Sequence, residues 1–251
     1  MEQNQNRHEA LIKVAIIKKL IKSGYIDNDS IIIDEFTVNR YERRVDIAII
    51  RETSMIAFEI KSERDSLKRL EGQVNTFSRY FDKVIVVADT KHVGNIQHLL
   101  PSETGIWEFN KNSLTVKQRG RKRKITAKLK RSYLELLTVS ELISLARITN
   151  YKLKDNHRAS LLKELEQTNM KALVEFVISA ISKRYRESTN RFLIETNNRN
   201  ISVRDLNLLS KFKSERKRLE EQKQSLKKQW KSFNETPVTE LLADLRSNNK
   251  K

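Results

Sequence analysis

The chain has 251 residues, with 50 Lys+Arg against 32 Asp+Glu, a formal net charge of +18 and 38% hydrophobic residues. That is long enough to bury a core, no stretch approaches the roughly 18–20 apolar residues of a membrane span, and the opening MEQNQNRHEA lacks a signal-peptide pattern. Zero Cys excludes disulfides, cysteine-based zinc sites and thiol nucleophiles, so the expectation is a strongly basic, cytoplasmic protein.

Residues 7–23 place apolar side chains at helical spacing, and Gly24 follows as a stop. Residues 31–38 (IIIDEFTV), 44–50 (RVDIAII) and 55–61 (MIAFEIK) read as three strands. Residues 64–81 read as a helix despite Gly72, and 83–88 (KVIVVA) as a strand buried on both faces. A short helix near 92–99 and strands near 104–109 and 113–118 complete an α/β module. The short link between the second and third strands fits a hairpin, and the helix between 55–61 and 83–88 fits a parallel crossover.

The hairpin carries the chemistry. Alternation puts Ala57, Glu59 and Lys61 on one face of their strand, and Ile56, Phe58 and Ile60 on the other. In 44–50 it puts Val45, Ile47 and Ile49 together, with Asp46 and Ala48 opposite. A link centred between Glu52 and Thr53 pairs residues whose numbers add to 105, which sets Asp46 against Glu59 with Lys61 on the same face. Two close carboxylates repel, and a hard divalent cation relieves that repulsion. A metal-bound water is acidic enough to become a nucleophile, and a nearby ammonium can orient it or offset charge on a phosphate. Glu9 on the first helix and Glu35 on the first strand could add a carboxylate; His8 beside them reads as an ordinary helix residue.

Asp46, followed thirteen positions later by Glu59-Ile60-Lys61 on a hairpin, resembles the PD-(D/E)XK nuclease superfamily. The run from Phe58 to Leu67, with Arg69, Leu70 and Gln73 after it, is similar to a poorly characterised bacterial and phage family within that superfamily. Arg44-Val45-Asp46-Ile47-Ala48 and Phe81-Asp82 also match, over residues 5–110 in all. The resemblance implies an αβββαβ restriction-endonuclease-like core and Mg²⁺- or Mn²⁺-dependent hydrolysis of phosphodiester bonds, with DNA favoured over RNA. Asp46, Glu59 and Glu9 would be metal ligands, Lys61 would stand beside the attacking water, and Gln73 would act around them. Phe77 stands where exonuclease-like members carry Tyr, and Val45 where the eponymous Pro would be. The alternative function is a non-catalytic nucleic-acid-binding or regulatory protein on the same scaffold.

The charge is divided unevenly. Residues 1–110 hold 16 Lys+Arg and 17 Asp+Glu, so residues 111–251 hold the remaining 34 and 15, a net of +19. A half this basic should attract a polyanion, nucleic acid first. Three regions follow: a nuclease-like domain at 1–118, a basic linker at 119–131, and an all-α basic region at 132–251. The linker carries Arg121, Lys122, Arg123 and Lys124, candidates for phosphate contact. Residues 136–166 read as helix, loop, helix, with Thr138 or Ser140 as the N-cap and Glu141 three residues after Thr138 as in a capping box. They are similar to SAP-like DNA-binding hairpins through Val139, Leu142, His157, Arg158 and Leu161. A further helix is expected at 169–195. A long charged helix is expected at 203–233, with Phe212, Leu219, Leu226 and Phe233 seven apart, a narrow seam that suits a helix packed along one edge or a short self-association.

Overall fold

Six short strands separated by turns and helices build one sheet with helices on both faces. The computed structural model describes residues 2–38, 42–122 and 130–210, and these lie within one unit, Met1–Ser210. Helix α1 (Glu2–Lys22) leads into β1 (Ile31–Val38), β2 (Arg43–Arg51) and β3 (Ser54–Lys61). Then come α2 (Leu70–Phe77), β4 (Lys83–Asp89), α3 (Thr90–Leu99), β5 (Gly105–Asn110) and β6 (Ser113–Gln118). The six strands lie in sequence order across the sheet. The β1–β2, β2–β3 and β5–β6 pairs are antiparallel, whereas β3–β4 and β4–β5 are parallel, so the sheet is mixed. Helices α2 and α3 make the crossovers that parallel neighbours need.

The β2–β3 hairpin has the expected register: Ile47 faces Phe58, Ala48 faces Ala57 and Ile50 faces Met55. Two local expectations fail. Val45 packs in the apolar cluster of Ala48 and Ile50, whereas Ile47 and Ile49 belong to the opposite face. Strict alternation therefore breaks at Asp46, and it breaks in the neighbouring strand at Glu35, which has a left-handed φ of 58°. The helix expected from residue 64 begins only at Leu70. Asp65 Oδ2 accepts from the Ser62 backbone N–H at 2.7 Å and its hydroxyl at 2.6 Å, so this stretch is held as a turn instead.

Beyond β6 the chain supplies α4 (Lys130–Glu135), α5 (Val139–Ile148), α6 (Arg158–Glu164), α7 (Met170–Thr196) and α8 (Leu206–Leu209), with 3₁₀ turns at Leu165–Gln167 and Val203–Asp205. The described start of the expected 203–233 helix is thus a 3₁₀ turn and one short helix; the heptad positions lie outside the described residues. Leu134, Leu142, Leu161 and Leu173 share one core with Ala48, Ala57 and Val86 of the sheet and with Val74 of α2. Ile12, Ile16 and Ile17 of α1 cover the other face, together with Phe192 and Leu209. Helix α7 serves both cores and closes the β1 edge. Thr189 Oγ1 accepts from the Ile32 N–H and donates to the Ile32 carbonyl, both at 3.1 Å. An edge strand satisfied in this way is not available for pairing with another chain. Among the described residues no helix is long and apolar enough to cross a membrane.

Candidate functional site

The β2–β3 ladder stops at Ile47 and Phe58, and the candidate cluster forms where the strands part. The Asp46 side chain takes over from the ladder there: its Oδ2 accepts from the Ile60 backbone N–H at 2.7 Å. Glu59 and Lys61 continue on β3 and are buried, at 2% and 8% exposure. Lys61 Nζ donates to Glu59 Oε1 at 2.7 Å and to Gln73 Oε1 at 3.1 Å. Gln73, carried by α2, returns an Nε2 donation to Glu59 Oε1 at 2.6 Å. Asp46, Glu59, Lys61 and Gln73 therefore gather at one place, the first three as the hairpin spacing predicts and Gln73 as the family resemblance implies.

Glu9 joins them at one remove. It pairs with Lys13 at 3.1 Å, one helical turn along α1. Lys13 is the residue that sequence reasoning did not reach. It is almost wholly buried, with Nζ 2.8 Å from Asp34 and 3.8 Å from Glu35. The i,i+4 spacing of Glu9 and Lys13 was its legible signal. Glu35 is also held at 3.2 Å by Arg44. His8 lies 3.8 Å from Asp89 and edge-on to Phe109.

The electrostatics follow from burying several acids together. Burial, then the charges of Glu59 and Glu9, hold the Asp46 carboxyl well above the usual carboxylate range. Burial also raises Glu59, against the opposing attraction of Lys61. Asp34 is raised by burial although Lys13 pulls it down. Burial works against the charge on Lys13, but Asp34 and Glu9 outweigh it and the ammonium is held more firmly than usual.

Much of this donor set is already spent. One oxygen of Asp46 serves a backbone N–H, and one oxygen of Glu59 holds Lys61 and Gln73. Glu59 Oε2 is the atom left buried without a hydrogen-bond partner. Among the described residues, no group of three or more His, Cys, Asp or Glu side chains is placed to hold a metal ion. Lys61 itself supplies the positive charge facing Glu59.

The basic candidates lie elsewhere. Arg121 and Lys122 are exposed just after β6. The Arg121 backbone N–H donates to the Glu103 carbonyl at 2.9 Å, which fixes the exit of the chain. Arg123 and Lys124 lie outside the described residues. In the 136–166 hairpin, the Thr138/Glu141 capping box forms as expected. Leu142 and Leu161 are core, and Arg158 donates to the carbonyls of Leu137 (2.7 Å) and Glu135 (2.9 Å), so these positions hold the hairpin together. Val139 and His157 are exposed. The surface that sequence reasoning passed over is the α5–α6 loop. Ile148 is 69% exposed and Tyr151 38% exposed, and Arg147, Lys152 and Lys154 are exposed around them. Alternating cations and an aromatic in R147-I-T-N-Y-K-L-K154 were its signal.

A family described as bacteriophage P4 protein cII matches residues 2–210, which hold the sheet, the acid cluster and the helices just described. The chain belongs to that family. It is 37% identical over 212 residues to Protein cII of Enterobacteria phage P4, covering 82% of this chain and 78% of that protein. Among solved structures, a protein of unknown function from Silicibacter pomeroyi covers 51% of this chain and 86% of its own, at 17% identity and a TM-score of 0.34. So weak a likeness carries no argument.

Membership of the cII family overturns the expectation of a Mg²⁺- or Mn²⁺-dependent nuclease. The match spanning both the sheet and the helices is to a phage cII protein and not to a nuclease. In this cII-family chain two of the buried carboxylates face lysines of the chain itself, Asp34 with Lys13 at 2.8 Å and Glu59 with Lys61 at 2.7 Å.

Proposed function

We propose that this cII-family chain is a non-catalytic, nucleic-acid-binding regulatory protein that acts by occupying its target. The observation that carries the reading is the charge. The entire excess lies beyond residue 110, with a net of +19 there against −1 before it, from 34 − 15 and 16 − 17 Lys+Arg and Asp+Glu. A half this basic is drawn to phosphate backbones whatever the sequence they carry. The α5–α6 loop supports it further. Among the described residues Arg147, Lys152 and Lys154 enter no ion pair, and Tyr151 stands exposed between them with a ring on which an unpaired base can stack.

The scaffold in this proposal is a PD-(D/E)XK-like sheet kept for its shape. The helix, three strands, helix, strand order and the convergence of Asp46, Glu59 and Lys61 support that relationship. The cluster then serves as a buried polar knot tying α2 to the β2–β3 hairpin. DNA is the favoured ligand, with RNA the comparison.

Fluorescence anisotropy with labelled DNA and RNA at 50 and 200 mM salt tests the reading. Binding should fall steeply with salt and survive Asp46→Ala. No binding at low salt would overturn it. So would Mg²⁺- or Mn²⁺-dependent strand cleavage that disappears in Lys61→Ala.

A further inference from the structure

A cleft of about 840 Å³ opens between the second half of α1 and the C-terminal end of α7. None of the acid-cluster residues lines it. Its apolar ledges include Ile21 and Ile194, which are 36% and 75% exposed. Two large aliphatic side chains left in water at one concave site mark surface that a ligand can cover.

The polar lining has unused capacity. Asn28, Asn197, Asn198 and Asn200 all face this cleft. Among the described residues none of their carboxamides makes a side-chain hydrogen bond; the contacts they make are main-chain ones, the carbonyls of Asn28 and Asn200 accepting from Arg186 and Arg199 and the Asn197 N–H donating to the Ile194 carbonyl. Each carboxamide offers a donor and an acceptor on one planar group. Lys18 and Lys22, one turn apart on α1, are exposed and without ion pairs among the described residues. The other charges of the lining are already matched: Asp27 lies 3.4 Å from Arg51, and Arg199 clasps Asp205 through two bonds of 2.9 and 2.8 Å. What the cleft presents to a ligand is therefore two free cations, four free carboxamides and an aliphatic ledge.

We infer that this cleft binds a short run of unpaired nucleotides from a single-stranded nucleic acid. The match is chemical at each part. Lysine ammoniums take phosphates. Carboxamides pair with base edges, as Asn does with the N6 and N7 of adenine. Base faces cover Ile21 and Ile194. A duplex does not fit the same cleft, because its bases are stacked inside a helix whose major groove alone is about 12 Å wide. Splayed bases of a single strand can enter a concave site. The inference rests on the proposed nucleic-acid binding and adds to it the place and the strand state.

The test uses the full chain and a Lys22→Glu/Ile194→Glu variant, both positions being exposed so that the fold should stand; thermal unfolding checks that it does. Anisotropy is measured with a labelled single-stranded oligonucleotide, with the duplex of the same sequence, and with poly-glutamate as an acidic peptide. The expected result is at least a tenfold weakening for the single strand and less than a twofold change for the duplex. If the variant folds and binds the single strand as the wild type does, the cleft assignment fails while nucleic-acid binding stands. If the wild type binds neither strand form, the underlying reading fails. If poly-glutamate binding alone is lost in the variant, the cleft is a peptide site and the inference is wrong. An independent Asn197→Ala/Asn200→Ala variant should also weaken the single strand, and most for adenine-rich sequence; equal weakening of single strand and duplex there would overturn the strand preference.

Discussion

Removal of Lys13 probes the buried polar network most directly. Its Nζ lies 2.8 Å from Asp34, 3.1 Å from Glu9 and 3.8 Å from Glu35, with side-chain exposures of 5% for Lys13 and 15% for Asp34. Lys13→Met keeps the apolar stem and deletes the charge, so Asp34 is left buried and unpaired. Breaking a buried pair by removing one partner costs about 3–5 kcal/mol. The residual exposure of Asp34 puts the expected loss near the lower end, about 3 kcal/mol, or a fall in Tm of about 6–12 °C for a domain of this size. The pH dependence follows from Asp34. Burial already raises its carboxyl while Lys13 opposes that; without Lys13 it rises further above its unfolded value of about 3.9. A raised carboxyl destabilises the folded state fully above its folded pKa, and the penalty vanishes as pH falls toward the unfolded value. Urea unfolding should therefore give the largest loss at pH 7–8 and a much smaller one near pH 4.5. Lys13→Met/Asp34→Leu should recover most of it, because the uncompensated charge has gone. A loss below 1 kcal/mol, or one equal at both pH values, would refute the reasoning.

Three further outcomes follow from the same structure. Asp46→Asn should raise Tm at pH 8, since it removes a charge that burial, Glu59 and Glu9 all disfavour while an amide oxygen can still accept the Ile60 N–H; the gain should fade toward pH 4, and a lower Tm at pH 8 would contradict the raised carboxyl. Thr189→Val should cost about 1–3 kcal/mol in chemical denaturation, because the buried Ile32 N–H and carbonyl lose their shared hydroxyl; a neutral result would mean that the β1 edge finds another partner. Gly120→Ala should destabilise by about 1–3 kcal/mol, since Gly120 has a φ of +66° and its Cβ would strike the backbone of Gly105 and come 2.9 Å from the Glu103 carbonyl. An unchanged Tm would show that the exit from β6 can move aside.

Much of the architecture was legible in local pattern. Short apolar or β-branched runs bounded by turn residues marked the strands, and the two-residue link at Glu52-Thr53 set the β2–β3 register, because a side-chain period of two allows no slip without turning the core outward. The same register named Asp46, Glu59 and Lys61 as neighbours, whereas Gln73 on the following helix was reached only through the family resemblance. Charge counted along the chain located the basic half without any structure. Only tertiary packing decided the rest. The turn held by Asp65 shortened α2, and the paired departures at Glu35 and Asp46 moved Val45 to the other face; neither leaves a mark in hydrophobic periodicity. Whether a lysine beside two carboxylates activates a water or silences the acids is likewise invisible in Glu-x-Lys. It depends on the 2.7 Å contact and on burial, and here Lys61 and Lys13 are tied to the acids themselves. Long-range placement made the remaining surfaces: α7 brought Asn197–Asn200 beside Lys18 and Lys22, residues some 175 positions apart that no local rule connects.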